Sequence, residues 1–389
     1  MTTLFERPLA EPATHAFVVG VGDYPHREPD WGGLPDLTNV PNIPSAADSA
    51  KFMCDWLLQN QDRLSAKLGS LEVLISDPAG AGDRYAWTPG KPVDRASAEN
   101  VMEAGKDWLA RLRGKPGDVA LFYCCGHGAA HSAQPVLFLE DLNSSDDNPW
   151  VHLNLGNLAQ SLRRETSIRC AFLFSDACGE FIPNFEISNP IEARFFRDPR
   201  LFGSPRDKVL LLCAAPEKLL AYEGEANPGD NVRFGRFTQT LLKGLDGSSA
   251  RLRGNQWTVY PSELINDLKN LRRIFYGHWS DLPFEPSPVL TQNEIYPIID
   301  LVAPELPVLI MTDPEEAMAS FNLHVSERND RAPPWIASKP DLSTAAWRTT
   351  VKAGMTPLYA LAIADTDAPF YSSCFLPIQP IFDQRVSVR

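Results

Sequence analysis

Nowhere in its 389 residues does the chain carry an apolar run approaching the roughly 20 residues that cross a bilayer. Its first fifteen residues, MTTLFERPLAEPATH, hold no apolar core of a secretory signal. A basic excess is missing too. Thirty-six Lys and Arg against 49 Asp and Glu leave a net charge of −13, the wrong sign for a nucleic-acid or anionic-membrane partner. The seven cysteines, at 54, 124, 125, 170, 178, 213 and 374, are odd in number and show no metal-finger spacing. A disulfide framework is therefore not expected, and a reduced, cytoplasmic setting is. No internal repeat or low-complexity tract stands out. What is left is an acidic globular protein, 44% hydrophobic and 22% charged, with enough apolar residues for a sizeable core.

Within it, two stretches organise the rest: GDVALFYCCGHG at 117–128 and IRCAFLFSDACG at 168–179. Each is an apolar run that ends in small residues carrying one reactive group. Runs apolar on both faces read as strands covered on both sides, as in a parallel sheet. If the two lie side by side, His127 and Cys178 emerge at one sheet edge, where open α/β sheets bind ligands. Other strands are expected at 15–22, 71–75, 135–141 and 208–214. Helices are expected from Ser45, over 97–113, 154–164 and 236–245, with a further strand and helix in 257–269. Strands alternating with helices predict a mostly parallel sheet sandwiched by helices. Beyond about 300 the pattern changes to prolines and short alternating runs, predicting a small all-β domain over 301–389 after an α/β domain over 15–300 and an N-terminal extension over 1–14.

A thiol that attacks an amide needs thiolate character or a neighbouring base. His127 is the candidate base, and Gly128 and Gly179 give backbone close access to a carbonyl. His131 is the rival base. A His127/His131 metal pair would need a helix to face both rings one way, which the glycine-rich context disfavours, so no metal site is expected. Asp176 lies two residues before Cys178 and so on the same strand face. A carboxylate there would pair with Arg or Lys.

These landmarks, in this order, resemble the caspase-like cysteine peptidases, closest to prokaryotic caspase homologues and metacaspases. They are AFVVGVGDYP, the loop and helix of LPDLTNVPNIPSAADSAKFMCDWL, Gly126-His127-Gly128, Ser175-Asp176-Ala177-Cys178, CAAPEKLLAYEGE and GRFTQTLLKGLDG. The resemblance covers roughly 15–300. It implies a Cys178–His127 dyad, an oxyanion hole from the Gly128 and Cys178 amides, and a basic-specific pocket of Asp176 and Asp48. Cys125 and Glu223 would border that pocket. The Arg-rich stretch 180–207 falls where the family carries a loop cut on activation, making Arg194, Arg197, Arg200 and Arg206 expected processing sites. Cleavage there by the enzyme itself or by an upstream protease is expected, and an activating protease or regulatory partner is expected beside the protein substrate. Some metacaspases require Ca²⁺; the acidic loop of Glu140, Asp141, Asp146 and Asp147 is the candidate for it, although its spacing is no EF-hand. Regulated proteolysis in bacterial defence or cell death is the implied role. The alternative is a catalytically inactive caspase-fold scaffold. An enzyme of different chemistry on a flavodoxin-like sheet would carry a phosphate-binding Gly-rich loop after the first strand, and GVGDYPHREP, not followed directly by a helix, does not supply one.

Overall fold

A computed structural model describes residues 2–38, 40–79, 93–132, 134–188, 190–198, 203–225, 229, 232–277, 283–291, 296–343, 345–364 and 370–388. The chain divides into two compact units, Met1–Leu242 with Asp281–Tyr296, and Lys243–Ser280 with Pro297–Arg389.

In the first unit the strands are β1 (Thr2–Glu6), β2 (Thr14–Val21), β3 (Leu68–Ser76), β4 (Val119–Gly126), β5 (Gly128–His131) and β6 (Gln134–Phe138). They continue with β7 (His152–Asn154), β8 (Cys170–Ala177), β9 (Glu180–Phe181), β10 (Val209–Cys213), β11 (Glu223–Glu225) and β12 (Arg233–Gly235). The main sheet runs β1-β3-β2-β4-β8-β10, closed by Ser287–Leu290. Its five inner strands are parallel, and both edge strands are antiparallel. The N-terminal extension is therefore part of this sheet: β1 pairs with β3.

Helices α1 (Pro44–Gln59), α2 (Ala98–Leu112), α3 (Leu155–Arg164), α4 (Pro183–Ile187) and α5 (Arg236–Lys243) surround it. Local chemistry sets their starts. Ser97 and Asn154 accept from the Asn100 and Asn157 amides to cap α2 and α3, and α1 opens on a proline. Alternation along the strands splits the packing between two faces. Phe17, Val19, Phe122 and Leu173 join Trp108 of α2 and Leu158 of α3 in one core. On the opposite face Gly20 lies against Ala46 and Ala50 of α1, and the Tyr123 hydroxyl bonds Thr238 of α5 at 2.5 Å. An α/β architecture with both sheet faces covered follows. Each strand must then be apolar on both sides, as the sequence has it.

The second unit holds α6 (Pro261–Phe275) and several short strands. Residues 257–269 do not extend the main sheet. Gln256–Val259 pairs antiparallel with Arg251–Arg253 and with Ile299–Leu301, so this segment folds with the C-terminal strands. Further on, a three-stranded and a four-stranded sheet share one core built on Val308, Ile310, Leu323, Val325, Trp347 and Ala360. No described helix is long and apolar enough to cross a membrane.

Candidate active site

Strands β4 and β8 pair in parallel register, Cys125 against Asp176 and Gly126 against Ala177. The next residue on each is the reactive one. His127 and Cys178 therefore leave the sheet at the same level of its carboxyl edge, on neighbouring strands.

Two contacts fix the histidine. Its backbone N–H donates to the buried Tyr24 hydroxyl at 2.8 Å, and the two rings lie 4.9 Å apart. Its Nε2 sits 2.8 Å from the Pro41 carbonyl. A carbonyl only accepts, so Nε2 carries the proton and the neutral ring keeps its lone pair on Nδ1. Burial holds the His127 pKa below its ordinary value, with the Pro41 bond opposing that shift. The ring is a neutral base at neutral pH. Neither Tyr24 nor Pro41 is legible as a partner in the sequence, since each reaches His127 across a long stretch of chain.

Cys178 is half-buried, and its sulfur meets the Ala221 backbone: the Ala221 amide donates to Sγ at 3.3 Å, and Sγ lies 3.8 Å from the Ala221 carbonyl. Burial pushes its thiol pKa up; the Ala221 amide pulls it down, and Glu180 and Asp176 add to the rise. At rest the thiol is protonated. The other apolar-strand cysteines, Cys124, Cys170 and Cys213, are fully buried, and burial pushes Cys213 up to about 12. They are core residues, inert beside Cys178.

Beside Cys178 is a cavity of about 80 Å³ lined by Ser45, Ser49, Cys125, Asp176, Glu223 and Gly235, among others. Asp176 is buried, and its Oδ2 accepts from the Thr238 amide at 3.0 Å and hydroxyl at 2.5 Å, in the first turn of α5. Desolvation nevertheless raises its pKa to about 6, the Thr238 bonds only partly offsetting it. Gly235 lies so close that a Cβ there would sit 1.8 Å from Asp176 Oδ2, so only glycine fits. Cys125 is buried in the wall with its Sγ 2.8 Å from the Ala46 carbonyl. Glu223 borders the cavity and pairs with Arg233 at 3.4 Å.

Asp48 is not in this lining. Its carboxylate lies 3.2 Å from Lys51, which also holds Asp77. One residue along a helix turns the side chain by about 100°, so the face that brings Ser45 and Ser49 to the cavity turns Asp48 away. Serines, rather than a second carboxylate, fill that wall.

Gly128 is equally constrained: a Cβ would meet the Val136 carbonyl at 2.7 Å and the Cys178 carbonyl at 2.8 Å. The Phe138 amide donates to the His127 carbonyl, which makes Gly128 and Leu137 a non-hydrogen-bonded pair. The Gly128 N–H thus lies outside the β5–β6 ladder. His131, at the far end of β5, packs its ring 4.9 Å from Phe185 and 6.3 Å from His152, away from this constellation.

The Arg-rich stretch is docked over much of its length. Phe195 and Phe196 are buried, Phe195 against Phe17 and Trp108, and the Ala193 amide donates to His152. Arg194, between them, pairs with Glu192 and lies over Phe196. Arg194, Arg197 and Arg206 are all exposed, and Arg200 lies outside the described residues. In the acidic loop, Glu140 is bonded to Arg95 and Ser76, and Asp141 accepts from the Ala98 amide at the start of α2. Among the described residues no cluster of three or more His, Cys, Asp or Glu could hold a metal ion, and Asp146 and Asp147 join none.

No protein-family model matches the chain. It is 28% identical over 217 residues to an uncharacterised protein, y4kE, of Sinorhizobium fredii (strain NBRC 101917 / NGR234). That match takes in 50% of this chain and 58% of the relative, so the chain spans little more than half the relative's length. Among solved structures it is similar to protein GSU0716 of Geobacter sulfurreducens, at TM-score 0.37 and 12% identity, over 74% of this chain and 93% of that one.

Proposed function

We propose that the chain is a caspase-like cysteine endopeptidase that cleaves proteins after Arg or Lys. The observation that carries the reading is the β4–β8 register, with Gly126 opposite Ala177, which sends His127 and Cys178 out together beside a cavity walled by Asp176 and Glu223. Nδ1 of His127 takes the thiol proton and Sγ attacks the scissile carbonyl. The tetrahedral oxyanion takes hydrogen bonds from the Gly128 and Cys178 amides, each worth roughly 2.7–4 kcal/mol by analogy with other hydrolases. His127 then gives its proton to the leaving amine as the C–N bond breaks, and water hydrolyses the thioester to restore the thiol. The basic side chain enters the cavity and pairs with Asp176, its positive charge holding that carboxyl ionised. Ala221 must move off the sulfur for a substrate to bind.

The role is regulated proteolysis in the cytoplasm, in the manner of the family resembled, with an activating protease acting at Arg197 or Arg206. A fluorogenic panel with Arg, Lys, Asp or Leu at the cleaved position tests the reading. Hydrolysis after Arg and Lys, lost in Cys178→Ala, is expected. Hydrolysis after Asp alone would overturn the role of Asp176. A raised thiol pKa and the Ala221 contact favour a second reading, an inactive scaffold on the same fold. It predicts no turnover with any member of the panel, before or after limited proteolysis.

A further inference from the structure

We infer that the cleft on the other side of His127 seats the leaving half of the substrate and selects an apolar residue followed by a basic one. The inference rests on the peptidase reading above and adds a subsite to it. When the thiolate forms its S–C bond and the C–N bond breaks, the departing nitrogen takes its proton from His127. The chain beyond the scissile bond must therefore continue on the histidine side.

Three cavities reach a dyad residue: a small one of about 110 Å³ lies against Cys178, Cys213 and Pro216, and two others flank the path of a substrate. The acidic one contains Cys178 but not His127. The other, of about 470 Å³, contains His127 and Gly128 but not Cys178. Its floor is part of the main core: Phe138 and Leu142 are buried, and Val40 and Ile182 pack against that core while remaining partly open. Such a floor is fixed before anything binds, as a subsite requires. Two exposed carboxylates, Asp36 and Glu180, stand in its lining, and it includes no Lys or Arg among the described residues. An apolar floor with acidic walls, joined to the point where the amine departs, fits an extended peptide carrying Leu- or Phe-like bulk and then a cation. Asp36 also takes a hydrogen bond from Asn184, which fixes where the cation would sit.

Internally quenched peptides with Arg fixed at the cleaved position would test this, varying the next residue (Leu, Ser) and the one after (Arg, Glu). The full chain, Asp36→Lys and Ile182→Ser are compared by the ratio of kcat/KM between peptides, so a change in overall rate does not enter. The Leu–Arg peptide is expected to be cleaved at least about ten-fold better than Ser–Glu. Asp36→Lys should reverse the Arg-over-Glu preference, and Ile182→Ser should narrow the Leu-over-Ser preference. Should either variant fail to fold, the wild-type ratios alone still decide. Equal cleavage of all four peptides would overturn the subsite while leaving the peptidase reading intact. No cleavage of any peptide, nor of a short Arg substrate ending at the cleaved bond, would overturn both.

Discussion

The two ends of the main sheet each carry a histidine, and the two are held in opposite ways. At the amino edge His15 is fully engaged. Its ring meets Ser70 at 2.9 Å and Asp118 at 3.4 Å, its carbonyl accepts from Trp108, and Asp118 also accepts from the Ala13 amide. Both ring nitrogens and the Asp118 carboxylate are engaged, so the cluster ties β2, β3 and the start of β4 together. At the carboxyl edge His127 is held by its backbone and Nε2 only, and Nδ1 has no hydrogen-bond partner among the described residues. Cys178 is raised in pKa and its sulfur bonds the Ala221 backbone, and Asp176 is held by Thr238 and still too desolvated to ionise easily. A satisfied network reads as structure; a ring nitrogen left open beside a desolvated thiol and carboxyl is the pattern of a reactive site.

Breaking the carboxyl edge should abolish activity and spare the fold. Cys178→Ala is expected to bring peptide hydrolysis to background, and His127→Ala to lower kcat by about 10²–10⁴-fold, with unfolding midpoints by calorimetry close to wild type. An effect of that size from Cys124→Ala instead would reassign the nucleophile.

Asp176→Asn sharpens the contrast, because there activity and stability should move in opposite directions. The shift of Asp176 from 3.8 to about 6 corresponds to about 3 kcal/mol lost when the buried group must ionise. The sign is as follows. Between about pH 4 and 6 the unfolded chain releases this proton while the folded one keeps it, so stability falls as pH rises, and above 6 the loss is complete. Asn, never ionised, should therefore be more stable than wild type by on the order of 1–3 kcal/mol at pH 7.5, converging below pH 4. Denaturant melts at the two pH values measure it, and cleavage after Arg should be lost. Equal stability at pH 7.5 would mean that the carboxylate is better solvated than its surroundings indicate.

At the amino edge the expectation inverts. Asp118→Ala leaves the Ala13 amide and His15 without their acceptor and should cost about 2–4 kcal/mol by denaturant unfolding. The kcat of the folded fraction should stay within about two-fold of wild type. The smallest effect belongs to Asp48→Asn. Facing Lys51 at a half-exposed position, it should change stability by less than about 1 kcal/mol and leave the Arg-over-Leu preference intact. A lost preference there would return Asp48 to the pocket.

Much of this contrast is legible in the sequence, and the part that is not has a common cause. The strand ending at Gly126 and the strand ending at Ala177 announce themselves through runs apolar on both faces, and parallel pairing alone brings His127 level with Cys178. Asp176 follows from the two-residue period. What holds these groups comes from far along the chain: Tyr24 and Pro41 on His127, Ala221 on Cys178, Thr238 and Gly235 on Asp176. No local periodicity encodes such pairs. Asp48 shows the reverse error, where a motif position puts a carboxylate on a helix whose rotation then turns it toward Lys51. The edge strand at Thr2–Glu6 and the pairing of Val259 with Ile299 are tertiary choices of the same kind.

An arginyl chloromethyl ketone followed by peptide mapping of all seven cysteines tests the dyad and the acidic cavity together. Cys374, exposed in the second unit, serves as the built-in control for unguided thiol reactivity. One adduct is expected, on Cys178, faster than with the aspartyl analogue and abolished by His127→Ala. Labelling of Cys374 ahead of Cys178, or equal rates with the arginyl and aspartyl reagents, would contradict it.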